Sequence, residues 1–261
     1  LAGFVVASAA IPATAGAAAG HSPARQSHHA PTSHHFKGLP TVGALFMPGL
    51  YPTLHTCTAS VVRSSSRNVI MTAAHCVSGT GKGYVFVPDY RDGRSPYGVW
   101  HVKSAFGDKK WINQTKKSTQ RDWAFLRIAS HTKHGRTIRL QDEVGANKLG
   151  HTATAGIAVH IPAYPLGSER PINCKAKVYL HHRYPAFDCS GYTGGTSGSP
   201  WLRGEHQVRT IRGVIGGLHQ GGCTAGTSYS SRLGKPARTA LKHAEHNHHA
   251  QTFPTPPGDG C

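Results

Sequence analysis

The sequence predicts an all-β protein whose chain lays down two successive groups of short strands. Glycine (31) and proline (17) are plentiful in its 261 residues, as expected where many short elements are joined by turns. Short apolar runs between turn clusters recur at 42–46, 58–62, 68–71, 84–87, 99–102 and 123–128. A second series follows at 152–161, 175–180, 199–202, 208–218 and 228–230. Helical spacing is read at 236–246, where Ala237, Leu241 and Ala244 share one face and Pro236 sits in the first turn.

The chain opens with an apolar, uncharged stretch and a small-x-small site, Ala13-Thr14-Ala15. Residues 1–20 read as the remnant of a secretory signal; Pro12 and the weakly apolar Ala/Gly run make it too short for a membrane span. Residues 21–38 are polar and rich in histidine, and read as a disordered propeptide or linker. His28, His29, His34 and His35 belong to this solvated tract and not to a metal site. Export implies an oxidising compartment, which suits six cysteines. No Cys-x-x-Cys pair occurs, which argues against a zinc ribbon.

Charge is the compositional outlier. Lys and Arg number 29 against 11 Asp and Glu, a formal net charge of +18. Such a surface attracts acidic partners over about 10 Å at moderate salt. No aromatic-interleaved basic motif accompanies it, so the charge points to acidic substrates before nucleic acid.

The chemistry gathers around Gly194-Gly195-Thr196-Ser197-Gly198-Ser199-Pro200. A serine between glycines offers its hydroxyl on a tight turn with nothing bulky beside it. The same turn can aim the N–H groups of Gly195 and Ser197 at one point, forming an oxyanion hole. Upstream lie Thr72-Ala73-Ala74-His75-Cys76 and Asp122-Trp123-Ala124-Phe125-Leu126, so the order along the chain is His, Asp, Ser. These three motifs, in this order, resemble those of the chymotrypsin-like serine peptidases.

The resemblance implies two six-stranded antiparallel Greek-key β-barrels, over 39–145 and 146–233, closed by a C-terminal helix and tail over 234–261. It implies that Ser197 attacks a carbonyl, His75 moves the proton and Asp122 holds the imidazole. It also implies a Cys57–Cys76 bridge. For the remaining cysteines, Cys174–Cys189 with Cys223–Cys261 competes with Cys189–Cys223 plus Cys174–Cys261, and the sequence does not choose. Thr196 stands where trypsin-like zymogens carry an Asp, so activation by an ion pair to a new N-terminus is excluded.

Specificity reads less directly. The base of the primary pocket would be Gly191, which removes the acidic residue behind an Arg/Lys preference. The segment from Thr193 to Pro200, with Val214-Ile215-Gly216-Gly217-Leu218-His219-Gln220-Gly221-Gly222, resembles the bacterial glutamyl endopeptidases. That resemblance implies that His219 meets a substrate carboxylate and that Gln220, Gly221 and Gly222 pair with the substrate backbone as an added strand. Tyr192 replaces a Ser or Thr of those enzymes, and either donates its hydroxyl to the substrate or fills the pocket with its ring.

The expectation is a secreted, monomeric serine endopeptidase acting on polypeptides after Glu or Asp. It needs no cofactor or metal and binds neither membrane nor nucleic acid. The alternatives are the same enzyme with an Arg/Lys or small apolar preference, and a catalytically silent basic binding protein.

Overall fold

The computed structural model describes residues 3, 30–115, 118–204, 209–256, 258 and 261. The expected signal remnant, apart from Gly3, and the linker histidines His28 and His29 lie outside the described residues. Among the described residues no helix is long and apolar enough to cross a membrane.

The first half closes into a barrel. Its strands are Val42–Phe46 (β1), His55–Val61 (β2), Val69–Thr72 (β3), Val85–Pro88 (β4), Trp100–Phe106 (β5) and Ala124–Ile128 (β6). They run in the order β1-β2-β3-β6-β5-β4, and β4 pairs back onto β1. Along β6, Ala124, Leu126 and Ile128 face the interior with Ile70, Phe86 and Trp100. Phe125 faces outward with Val42, Phe46 and Met71, onto Leu202, Ile211 and Val214 of the second half. β1, β3 and β4 are buried on both faces and read as apolar runs, whereas β5 alternates, with His101 and Lys103 exposed. A Cβ on Gly43 would lie 2.2 Å from the Val87 carbonyl oxygen, so the β1–β4 approach requires glycine.

The second half contains Lys148–Leu149 (β7), Ala158–His160 (β8), Lys175–Lys177 (β9), Tyr179–His181 (β10), Tyr184–Asp188 (β11), Pro200–Arg203 (β12), Thr210–Val214 (β13) and Thr227–Tyr229 (β14). The described strands form two sheets, β7-β13-β12-β8-β9 and β10-β11-β14, and β7 joins β13 in parallel. The chain changes sheet at Val178, whose N–H donates to the Ile157 carbonyl at 2.9 Å. A bridge between Ile215 and Ser230 ties the two sheets together.

Order begins before Leu39, which corrects the expectation of a disordered linker for its last residues. His34–His35 pairs with Ile172–Asn173, Ser33 N–H donates to Ser190 O at 2.9 Å, and Ser190 N–H donates to Pro31 O at 2.8 Å. Phe36 sits edge-on to His160 with ring centroids 6.0 Å apart. A polar composition hid a segment that is held by backbone pairing and one aromatic ring.

His160 is held at about 4, well below the usual histidine value of 6.5, first by burial and then by Arg209 and Lys175. A pKa depressed by folding supplies stability that is complete above the unfolded value and is lost as pH falls through the folded one. We therefore expect the thermal midpoint to fall between pH 6.5 and about 4. His160→Gln should flatten that part of a calorimetric pH series, and an unchanged slope in the variant would assign the effect elsewhere.

The helix Lys235–His246 buries Ala237, Ala240 and Ala244. Arg127 Nη1 donates to the carbonyls of Ala244 and Glu245 at 2.8 and 2.7 Å, satisfying acceptors that the helix end leaves open. The residues beyond it pack back onto the first barrel. Gln251 N–H donates to Ala105 O at 2.9 Å, Gly79 and Phe253 exchange two backbone bonds at 2.9 and 2.7 Å, and Phe253 is buried in the barrel core. Disulfides join Cys57 to Cys76, Cys174 to Cys189 and Cys223 to Cys261. Closing the 19-residue Cys57–Cys76 loop is worth about 3 kcal/mol by chain entropy.

Candidate active site

His75 occupies a one-turn 3-10 segment, Ala74–Cys76, immediately after β3. Buried Ala73 and Ala74 on one side and the Cys57–Cys76 bridge on the other fix that turn to the barrel wall. Asp122 is fully buried at the start of β6. A carboxylate there is costly unless hydrogen-bonded, and this one accepts from three donors. His75 Nδ1 lies 2.8 Å away, His75 N–H donates at 2.9 Å, and Gly217 N–H donates at 2.7 Å. Ser231 Oγ donates to the Asp122 main-chain oxygen at 3.0 Å. The imidazole is thereby gripped by ring and backbone together, and His75 lines the cleft.

Ser197 sits on a loop held at every peptide. Thr196 donates to Thr193 O through its N–H at 3.2 Å and its hydroxyl at 2.7 Å. Ser199 N–H returns to Thr196 O at 3.0 Å, and Gly198 N–H donates to Ile215 O at 2.8 Å. Gly195 has φ +85°, and a Cβ on it would lie 2.3 Å from Leu166 N, so the position admits only glycine. Among the described residues, no group accepts a hydrogen bond from the N–H of Gly195 or of Ser197. Two adjacent uncommitted donors on one rigid turn can receive a developing oxyanion.

His75 and Ser197 line one cleft of about 460 Å³ together with Tyr192, Thr193, His219, Gln220, Gly221 and Gly222. Two of the sequence expectations, for Gly191 and for Gln220–Gly222, change here, and the alternatives left open for Tyr192 narrow to one. Gly191 is not among the lining residues; a Cβ on it would lie 2.2 Å from Ser33 Oγ, so the N-terminal segment packs on it. Tyr192 turns its hydroxyl inward to the Ile161 carbonyl, and its ring stands edge-on to Phe187 at 5.1 Å. Burial pushes its ionisation far above the usual tyrosine range. It therefore lends the cleft its ring and not a donor. Gln220, Gly221 and Gly222 do not form a strand. Leu218–Gly221 is a 3-10 turn in which Gln220 N–H donates to Gly217 O and Gly222 N–H to His219 O. His219 and Gln220 both adopt left-handed backbone angles, φ 50° and 49°, which the flanking glycines make room for.

Two features of the site have no motif. Pro256, from the C-terminal tail, lines the cleft, and Cys223 beside it carries the bridge to Cys261. A ring nitrogen of His219 lies within 4.8 Å of both sulfurs of that bridge. His75 lies equally near Cys57 and Cys76. Since all four sulfurs are bonded in pairs, neither cluster offers thiolates to a metal.

The family profile of the trypsin-like peptidase domain matches residues 57–211, a span that contains His75, Asp122 and Ser197. The chain belongs to that family. This trypsin-like peptidase is a serine endopeptidase, and its substrates are polypeptides. No curated protein matches it. Among solved structures it is similar to protease Anisep from Arthrobacter nicotinovorans, at 23% identity and TM-score 0.68, covering 82% of this chain and 100% of that one. A thermostable serine protease, AL20, from an extremophilic microorganism has 22% identity and TM-score 0.66, covering 80% and 98%. A Glu endopeptidase has 17% identity and TM-score 0.62, covering 83% and 97%. At these identities the likeness is one of fold. With it, the trypsin-like peptidase takes the two-barrel architecture with a C-terminal helix.

Proposed function

We propose that this serine endopeptidase is secreted and cleaves polypeptides through Ser197, His75 and Asp122, with a preference for Glu or Asp before the scissile bond. Ser197 Oγ attacks the carbonyl and His75 Nε2 takes its proton. The N–H groups of Gly195 and Ser197 receive the oxyanion, and the imidazolium then protonates the leaving amine. Water repeats the sequence on the acyl-enzyme. The observation that carries this reading is the buried carboxylate of Asp122, which holds both the ring and the main chain of His75. The three disulfides and the apolar start of the chain favour export.

The acidic preference rests on His219, which lines the cleft beside Ser197 and can donate to an incoming carboxylate. No Asp or Glu is among the described lining residues, so a substrate Arg or Lys would meet no countercharge. The rings of Tyr192 and the side chain of Ile215 favour a second reading, in which small apolar residues enter instead. A panel of chromogenic peptides that differ only at the residue before the cut separates the two. We expect His219→Ala to reduce kcat/KM on the Glu peptide about 10-fold or more, with less than about threefold change on the Ala peptide. Equal losses on both peptides would make His219 a structural residue.

A further inference from the structure

The N–H groups of Gly195 and Ser197 can serve an oxyanion only while two peptide planes keep their orientation, the one joining residues 194 and 195 and the one joining 196 and 197. Gly195, at φ +85°, is the natural joint for a flip between them. The plane between those two joins 195 to 196, and its carbonyl is held by a single side chain. Thr58 Oγ1 donates to Gly195 O at 3.1 Å. The same hydroxyl accepts from Tyr164 N–H at 2.9 Å, which fixes the direction in which it donates. Two residues on, Leu166 N–H donates to Gly194 O at 2.6 Å and holds the preceding plane.

Thr58 also acts through its backbone. Its N–H donates to Ser197 O at 2.8 Å, and its own carbonyl accepts from Thr72 Oγ1 at 2.8 Å. Thr72 closes β3, three residues before His75. Thr58 is fully buried, lies next to bridged Cys57 and belongs to β2 of the barrel. One residue of the first barrel therefore links the loop of Ser197, the strand leading to His75 and the loop at 164–166.

We infer that Thr58 is a positioning residue of the oxyanion hole, acting on the peptide between the two planes that Leu166 N–H and Ser199 N–H hold. Its hydroxyl locks the peptide between Gly195 and Thr196 so that both flanking N–H groups point into the cleft. In this chain that lock stands where Thr196 has removed the possibility of an ion pair behind the loop. The inference rests on the assignment of Ser197 as nucleophile and of Gly195 and Ser197 as oxyanion donors. Thr58 itself touches no reacting atom.

The test replaces Thr58 by Val, which keeps the shape and removes the hydroxyl, and by Ser, which keeps the hydroxyl. Thr58→Val should lower kcat by about 10- to 100-fold with KM changed less than about threefold, since the oxyanion forms after substrate binds. A peptide aldehyde, which forms a tetrahedral adduct, should lose affinity by the same factor as kcat/KM. Thr58→Ser should recover kcat to within about threefold. If Thr58→Val does not fold, Thr58→Ala is read in its place. Unchanged kcat, a loss confined to KM, or failure of both hydroxyl-free variants to fold would overturn the inference. Ser197→Ala run in parallel separates the two levels: if it stays active the nucleophile assignment has failed, and if it is dead while Thr58→Val is normal only the role of Thr58 has failed.

Discussion

Ser197→Ala is expected to lower kcat by about 10⁶-fold while leaving the protein folded. Removing the hydroxyl deletes the attacking atom, and the oxyanion donors that remain can stabilise only the slow adduct of direct water attack. The loop itself should persist, because its hydrogen bonds run through the backbone of Ser197, from Thr58 N–H to Ser197 O, and through the side chain of Thr196. The measurement is a progress curve on a peptide substrate beside a thermal melt and labelling with an organofluorophosphate. Wild-type protein should take the label at Ser197 and the variant should not. A variant that keeps more than about a thousandth of the wild-type rate would require another nucleophile.

Asp122→Asn should cost about 10⁴-fold in kcat for a different reason. The carboxylate meets three donors and only accepts. An amide has one accepting oxygen and one donating nitrogen, so it cannot face His75 N–H, Gly217 N–H and a protonated Nδ1 at once. With the amide nitrogen toward Nδ1, the ring takes the tautomer that carries its proton on Nε2, which prevents it from accepting the Ser197 proton, and Gly217 N–H loses its acceptor; with the oxygen there, His75 N–H loses its acceptor instead. Either orientation costs about 1–3 kcal/mol of stability. Kinetics distinguishes the two, and a variant within tenfold of wild type would mean that Asp122 does not orient His75.

Much of the first barrel was legible because β1, β3 and β4 are buried on both faces and announce themselves as apolar runs, as β6 does with Ala124, Leu126 and Ile128 inward and Phe125 outward; β5 shows alternation instead, with His101 and Lys103 exposed. The second half is harder to read. Lys175–Lys177 falls within the expected run 175–180, but Tyr184–Asp188 contains Pro185, which argues against a strand although it pairs on both sides. At 220–222 the resemblance implied pairing with a substrate strand, whereas the chain there follows the consecutive left-handed residues His219 and Gln220. Motif spacing marked His75, Asp122 and Ser197 because their neighbours are constrained too. Thr58 has no such signature, since a hydroxyl that bonds a distant carbonyl leaves no pattern along the chain.

The route of the last residues has a practical side. Phe253 anchors the tail in the first barrel, Pro256 reaches the cleft, and Cys261 is bonded to Cys223, which lines the same cleft. Any polypeptide fused after Cys261 would be carried at the mouth through which substrate enters. An affinity tag placed there would compete with the assay it was meant to enable, and its own sequence would become a cleavage target at very high effective concentration.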